Sequence, residues 1–160
     1  MIPTADTPDV FGSSVFCDDI REEVGGKASL IGVYMGGMLV HSPFPAAIPR
    51  FGIAISLWQR HAKFVPNVEL RIYLPGDDDD KPSIISHAEA GGGTVPEASE
   101  ENSYLVMRAN LTMTNLVLKR AGKIKVRALI NGTLIPLGSL PVSLAPAVPA
   151  REKTEDVSGA

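Results

Sequence analysis

KIKVRALINGTLIPLGSL, residues 123–140, is the stretch that decides the fold. Ile124, Val126, Ala128 and Ile130 alternate with Lys123, Lys125 and Arg127. A period of two puts the first set on a buried sheet face and the second toward solvent. Asn131-Gly132 follows at once, and both residues accept the positive φ of a type I′ turn. Thr133–Leu140 is then the return strand, and LPVSL at 140–144 offers a short last one.

The same alternation recurs upstream. In FGIAISLWQR (51–60), Phe51, Ile53, Ile55 and Leu57 share one face; the other holds Gly52, Ala54, Ser56 and Trp58. In NVELRIYL (67–74), Val68, Leu70, Ile72 and Leu74 oppose Glu69, Arg71 and Tyr73. YLVMRANLTM (104–113) has helical propensity, yet Leu105, Met107, Ala109, Leu111 and Met113 alternate. That alternation predicts a strand, with a helix as the alternative. Nearer the start, residues 14–24 read as a strand running into a charged turn, and Gly25-Gly26-Lys27 as a turn. Residues 29–35 and 38–41 read as two short strands forming a hairpin across Gly36-Gly37. Pro43, Pro45 and Pro49 predict an extended connection.

Seven to nine short strands with no helix predict an all-β fold, an antiparallel β-sandwich of immunoglobulin- or C2-like type. Residues 1–13 read as an extended N-terminal arm, 14–144 as the sandwich, 76–103 as a long polar loop within it, and 145–160 as a C-terminal tail. Composition agrees: among 160 residues, 15 Gly and 13 Pro leave little room for long helices. A hydrophobic share of 44% argues against wholesale disorder.

The net charge of −3 disfavours a nucleic-acid partner, which would call for a basic excess. The charge is unevenly spread. Residues 1–60 hold 4 basic and 6 acidic side chains, 61–110 hold 4 and 9, and 111–160 hold 7 and 3. An acidic middle and a basic end either are solvated loops and strand faces or attract each other within one molecule or between neighbours. Cys17 is the single cysteine, so neither an intramolecular disulfide nor a cysteine cage for a metal can form. The N-terminal MIPTADTPDVFGSS lacks a basic start and an apolar core, and no stretch approaches a membrane span. Cytoplasmic synthesis is the simplest expectation.

Motifs that carry chemistry occur in the sequence only as fragments. Gly26-Lys27 and Gly91-Gly92-Gly93-Thr94-Val95-Pro96 fall short of phosphate-loop and dinucleotide fingerprints. His41, His61 and His87 show no ligand spacing. Asp77, Asp78, Asp79 and Asp80 could take Ca²⁺, but Lys81-Pro82 stands where a calcium loop turns on Gly, and a solvated, self-repelling loop is the alternative. Asp18, Asp19, Arg21, Glu22 and Glu23 form a cluster that reads either as paired carboxylates or as a structural ion-pair network. Lys119, Arg120, Lys123, Lys125 and Arg127 make a basic run without the interleaved aromatics that base stacking needs. No catalytic, cofactor-binding or metal-binding residue is assigned.

The block Phe16-Cys17-Asp18-Asp19-Ile20-Arg21-x-Glu23-x-x-Gly26-Lys27-x-Ser29-Leu30-Ile31-Gly32-x-Tyr34 resembles the opening of an uncharacterised bacterial and phage-associated family of small all-β domains. The resemblance implies a sandwich fold and a prokaryotic or phage setting, and it supplies no catalytic residue. The expected function is a non-enzymatic structural or interaction module, a phage or prophage virion or assembly component that forms oligomers through its arms. Its expected partners are proteins, copies of itself or other assembly subunits, with no membrane. The alternative is a sandwich that binds a glycan, metal or small molecule at the 76–103 loop.

Overall fold

The computed structural model describes residues 7–90 and 103–148. Over these residues the chain forms β1 (Val10–Cys17), β2 (Asp19–Glu23), β3 (Lys27–Ile31), β4 (Met38–Val40), β5 (Ala46–Arg60), β6 (Asn67–Tyr73), β7 (Ile84–Glu89), β8 (Tyr104–Leu118), β9 (Gly122–Ile130) and β10 (Thr133–Leu144). A single 3-10 turn, His61–Lys63, is the one helical element among the described residues. The fold is an all-β sandwich. One sheet has the order β1-β5-β8 and the other β4-β10-β9-β6-β7, while β2 and β3 form a separate hairpin. Every pairing is antiparallel except β4 with β10.

The core is the set that alternation selects. Phe51, Ile53, Ile55 and Leu57 from β5 meet Val68, Leu70 and Ile72 from β6 and Ile124, Val126 and Ala128 from β9, all essentially inaccessible to water. Asn131 and Gly132 take φ of 49° and 78°, closing β9 onto β10 in the register the turn requires. β8 is a strand, not a helix, because alternate residues can reach the core only from extended backbone. Gln59 continues the inward row of β5 and is fully buried. Its amide nitrogen donates to the Val65 carbonyl at 3.0 Å, and its oxygen accepts from the Val65 N–H at 3.0 Å. A side-chain amide matching a peptide group in this way keeps a buried polar residue satisfied.

Four sequence expectations are corrected. β1 starts at Val10, inside the arm expected over 1–13. The hairpin lies across Gly25 and Gly26 (φ 82° and 70°), not across Gly36-Gly37; β3 and β4 belong to different sheets. The loop expected over 76–103 contains β7, an edge strand held by backbone pairing to β6, with Ala88 as its one buried side chain. Part of that loop, 91–102, and most of the tail, 149–160, lie outside the described residues. The return strand and the short last strand are one, β10, with Leu137 as an extra residue between Pro136 and Gly138. A bulge moves the buried positions from odd to even numbers, so Leu137, Leu140 and Val142 all reach the core. Among the described residues the strands number ten.

A second change of parity occurs within the smaller sheet. On β5 the inward positions are Ala46 and Ile48, then Phe51 onward; on β8 they run through Met113, then Leu116 and Leu118. Both switches fall where Pro49 lies opposite Asn115, the one gap in an otherwise continuous ladder. Proline has no N–H to give the ladder, and asparagine tolerates the left-handed φ of 53° observed here.

Candidate functional site

The acidic cluster near the N-terminus is the first candidate. Alternation through residues 17–23 would set Asp18, Ile20 and Glu22 on one face, but the strand breaks at Asp18, which lies between β1 and β2. The Asp18 N–H donates to the carbonyls of Ile31 (3.0 Å) and Gly32 (3.2 Å), tying the corner to the end of β3. The Tyr34 hydroxyl donates to Asp18 Oδ1 at 2.5 Å. Gly32 has φ 67°, and a Cβ there would stand 2.1 Å from Asp18 Oδ2. Asp19 pairs with different groups: Arg50 Nε lies 2.6 Å from Oδ1 and Arg21 Nε 3.7 Å from Oδ2. Glu23 accepts from the Ser29 hydroxyl at 2.9 Å. Gly52 leaves the space into which Ile20 and Cys17 pack, since a Cβ would come within 2.8 Å of Ile20 Cγ1 and 3.0 Å of Cys17 Sγ.

The chemistry of this corner is that of a joint. The Cys17 thiol is buried, and burial first, then the Asp18 charge, pushes its pKa up. Burial and then the hydrogen bond to Asp18 also raise Tyr34, so both groups stay protonated and neither is an activated nucleophile. Of the two sequence readings, these distances support the ion-pair network. Beside the corner runs an open groove of about 550 Å³ bordered by Asp18, Tyr34, His41, Ser42 and Arg50. His41 follows β4, His61 opens the 3-10 turn and His87 lies on β7, and among the described residues no group of three or more His, Cys, Asp or Glu is placed to hold a metal.

The aspartate run and the basic run come together on the outer face of the larger sheet, where the β6–β7 connection meets β9. Asp77 Oδ2 accepts from the N–H groups of Leu74 (2.8 Å) and Ser83 (2.9 Å), and Oδ1 accepts from the Ser83 hydroxyl (2.8 Å). Asp79 Oδ1 lies 3.0 Å from Arg127 and 3.4 Å from Lys125, both on the outer face of β9. Arg127 also stacks over the Tyr73 ring at 4.8 Å. The expected self-repelling loop is thus an organised turn, and acidic middle and basic end attract each other within one molecule. The Lys125 and Arg127 bonds hold the Asp79 carboxyl below the ordinary carboxylate range. For Asp77, burial works to raise the pKa, but the Ser83 hydroxyl and the Leu74 and Ser83 amides outweigh it, so the net shift is downward.

A depressed folded-state pKa stabilises above the unfolded value, near 4, and the contribution fades as pH falls through the folded value. Asp77→Ala is therefore expected to cost about 2 kcal/mol at neutral pH, the scale of losing several bonds to one carboxylate. The gap between the melting temperatures of the variant and the parent chain should close as the pH is lowered below 4.

At the start of the described chain, Asp9 bridges Arg60 (2.8 Å) and Lys63 (2.6 Å), Arg60 donates to the Thr7 carbonyl (2.9 Å), and the Tyr104 hydroxyl donates to the Pro8 carbonyl (2.9 Å). Trp58, core or interface by sequence, is half-buried on the outer face of the smaller sheet and stacks on Phe11 at 5.4 Å. The base of the arm is thereby clasped to β5 and β8.

What remains open is a sheet edge. β1 is flanked by the β10 bulge: a Cβ on Gly12 would meet Leu137 Cδ2 at 2.6 Å, and Gly138 lies against Ser14. β4 is three residues long, and β7 is six residues long and carries His87 and Glu89. β8 runs for 15 residues and, among the described residues, pairs with β5 on one side alone. From Ala109 up to the break at Asn115 it has no charge and no proline, two of the devices that normally protect such an edge from another strand. That gap between Arg108 and Lys119 was the available sequence signal; without the strand order it reads as ordinary sheet.

A family model described as a family of unknown function matches residues 12–143, from within β1 to within β10. No curated protein and no solved structure matches the chain.

Proposed function

The chain belongs to the family of unknown function DUF6941, and we propose that it is a non-enzymatic structural module that joins protein partners by strand pairing at β8. The single observation that carries this is the 15-residue edge of β8, uncharged from Ala109 to Leu118. An unprotected edge offers a row of unspent N–H and C=O groups, which an added strand satisfies without any chemistry in the side chains. Asp18, Asp77 and Asp79 accept hydrogen bonds within the molecule and Asp19 is ion-paired with Arg50, which supports structural over catalytic work. The resemblance carried by Phe16–Tyr34 favours a phage or prophage assembly as the setting. Synthesis in the bacterial cytoplasm and residence in a virion belong to the same proposal.

Hydrogen exchange on the full-length chain tests it. A synthetic peptide spanning residues 104–118 should slow exchange of the β8 amides that face away from β5. Unchanged exchange across β8 at millimolar peptide, together with no added protection as protein concentration rises, would remove the edge as the working surface.

A further inference from the structure

Resting on that assignment of the β8 edge, we propose that its partner is a second copy of this chain, the two β8 strands pairing antiparallel about a two-fold axis at Leu111. The smaller sheets of the two copies then run on as one continuous sheet through the junction.

Self-complementarity decides the occupant. Two-fold pairing places residues equidistant from Leu111 opposite each other. Leu111 meets Leu111 of the second copy, Ala109 meets Met113, Asn110 meets Thr112, and Arg108 meets Thr114. The single charge of the window faces a threonine, so no like charges meet across the junction. On the inward side, Ala109, Leu111 and Met113 are left partly exposed where the sheet ends. Antiparallel pairing preserves side-chain parity, so the same row of the second copy covers them, small against large. A two-fold at Asn110 would instead spend the junction on Met107, which is already buried at 7% exposure. Asn115, at φ 53°, turns the strand and ends the usable window on one side; symmetry ends it at Met107 on the other.

Sedimentation equilibrium of the full-length chain is the test, with Thr112→Lys, the double variant Asn110→Asp/Thr112→Lys, and Leu111→Cys. Thr112 is exposed on the outer face, so lysine fits the folded protomer, and circular dichroism checks that it does. The parent chain should dimerise. Thr112→Lys should raise the dissociation constant at least tenfold, and the double variant should recover dimers because each lysine then faces an aspartate. Leu111→Cys should oxidise to a disulfide-linked dimer while Thr114→Cys does not. A dimer indifferent to Thr112→Lys overturns the proposal. So does a strict monomer: if the 104–118 peptide still protects β8, the edge accepts a free strand but two whole chains do not pair, and the edge assignment stands without the second copy. If it does not, the edge assignment falls as well.

Discussion

Phe51→Ala is expected to remove about 3–5 kcal/mol from the unfolding free energy, the usual range for truncating a fully buried aromatic ring. Phe51 is inaccessible to water and sits on the middle strand of the smaller sheet, with Phe16 at 6.2 Å and Tyr34 at 6.1 Å between ring centroids. It therefore joins the sandwich core to the β1–β2 corner, and its loss should loosen both. Single domains have roughly 5–15 kcal/mol in all, so the variant is expected to be marginal at 37 °C. Urea denaturation checks this: the midpoint should fall with an unchanged slope. Leu144→Ala is the control, about half exposed at the end of β10 and expected to change stability by less than about 1 kcal/mol. A small effect of Phe51→Ala would mean that the corner is not packed on the core as described.

Gly32→Ala is the second large effect, expected at about 2–4 kcal/mol. Left-handed φ costs an alanine about 1–2 kcal/mol, and the new Cβ would stand 2.1 Å from Asp18 Oδ2 and 2.7 Å from its Cγ. The aspartate cannot swing away without giving up the Tyr34 hydroxyl. Asp18→Ala relieves most of the clash, so the double variant should be less destabilised than the two single variants added together. A coupling of at least about 1 kcal/mol in that cycle is the expected reading. Strict additivity would mean that the corner relaxes around the alanine and that Gly32 matters through backbone conformation alone.

How much of this was legible depended on how local each cause is. The inward rows of β5, β6 and β9 could be read directly because burial on one face imposes a period of two on consecutive residues. The Asn131-Gly132 turn was legible because its φ angles restrict the residue types. β7 was not, since Ile84–Glu89 is held by ladder bonds to β6 that leave little mark on its own side chains. The false hairpin at Gly36-Gly37 shows the same limit: a glycine pair signals a turn but not which strands flank it. At the candidate sites, the composition of the charged clusters could be read, but not that Asp79 finds Lys125 and Arg127 across some 46 and 48 residues of chain.

Residue order alone therefore carried the class of fold, the faces of the long strands and the β9–β10 turn, because each is imposed by neighbours one or two positions apart. Three-dimensional packing settled the rest: the order of strands in the sheets, the pairing of acidic loop with basic face, and the position of β8 at an edge. Those properties belong to contacts between distant segments, and a strand's sequence does not record whether a second neighbour lies beside it. The uncharged run from Ala109 to Leu118 is unremarkable in the middle of a sheet. At the edge, where among the described residues β5 is its one neighbour, the same run becomes a surface on which another strand could pair.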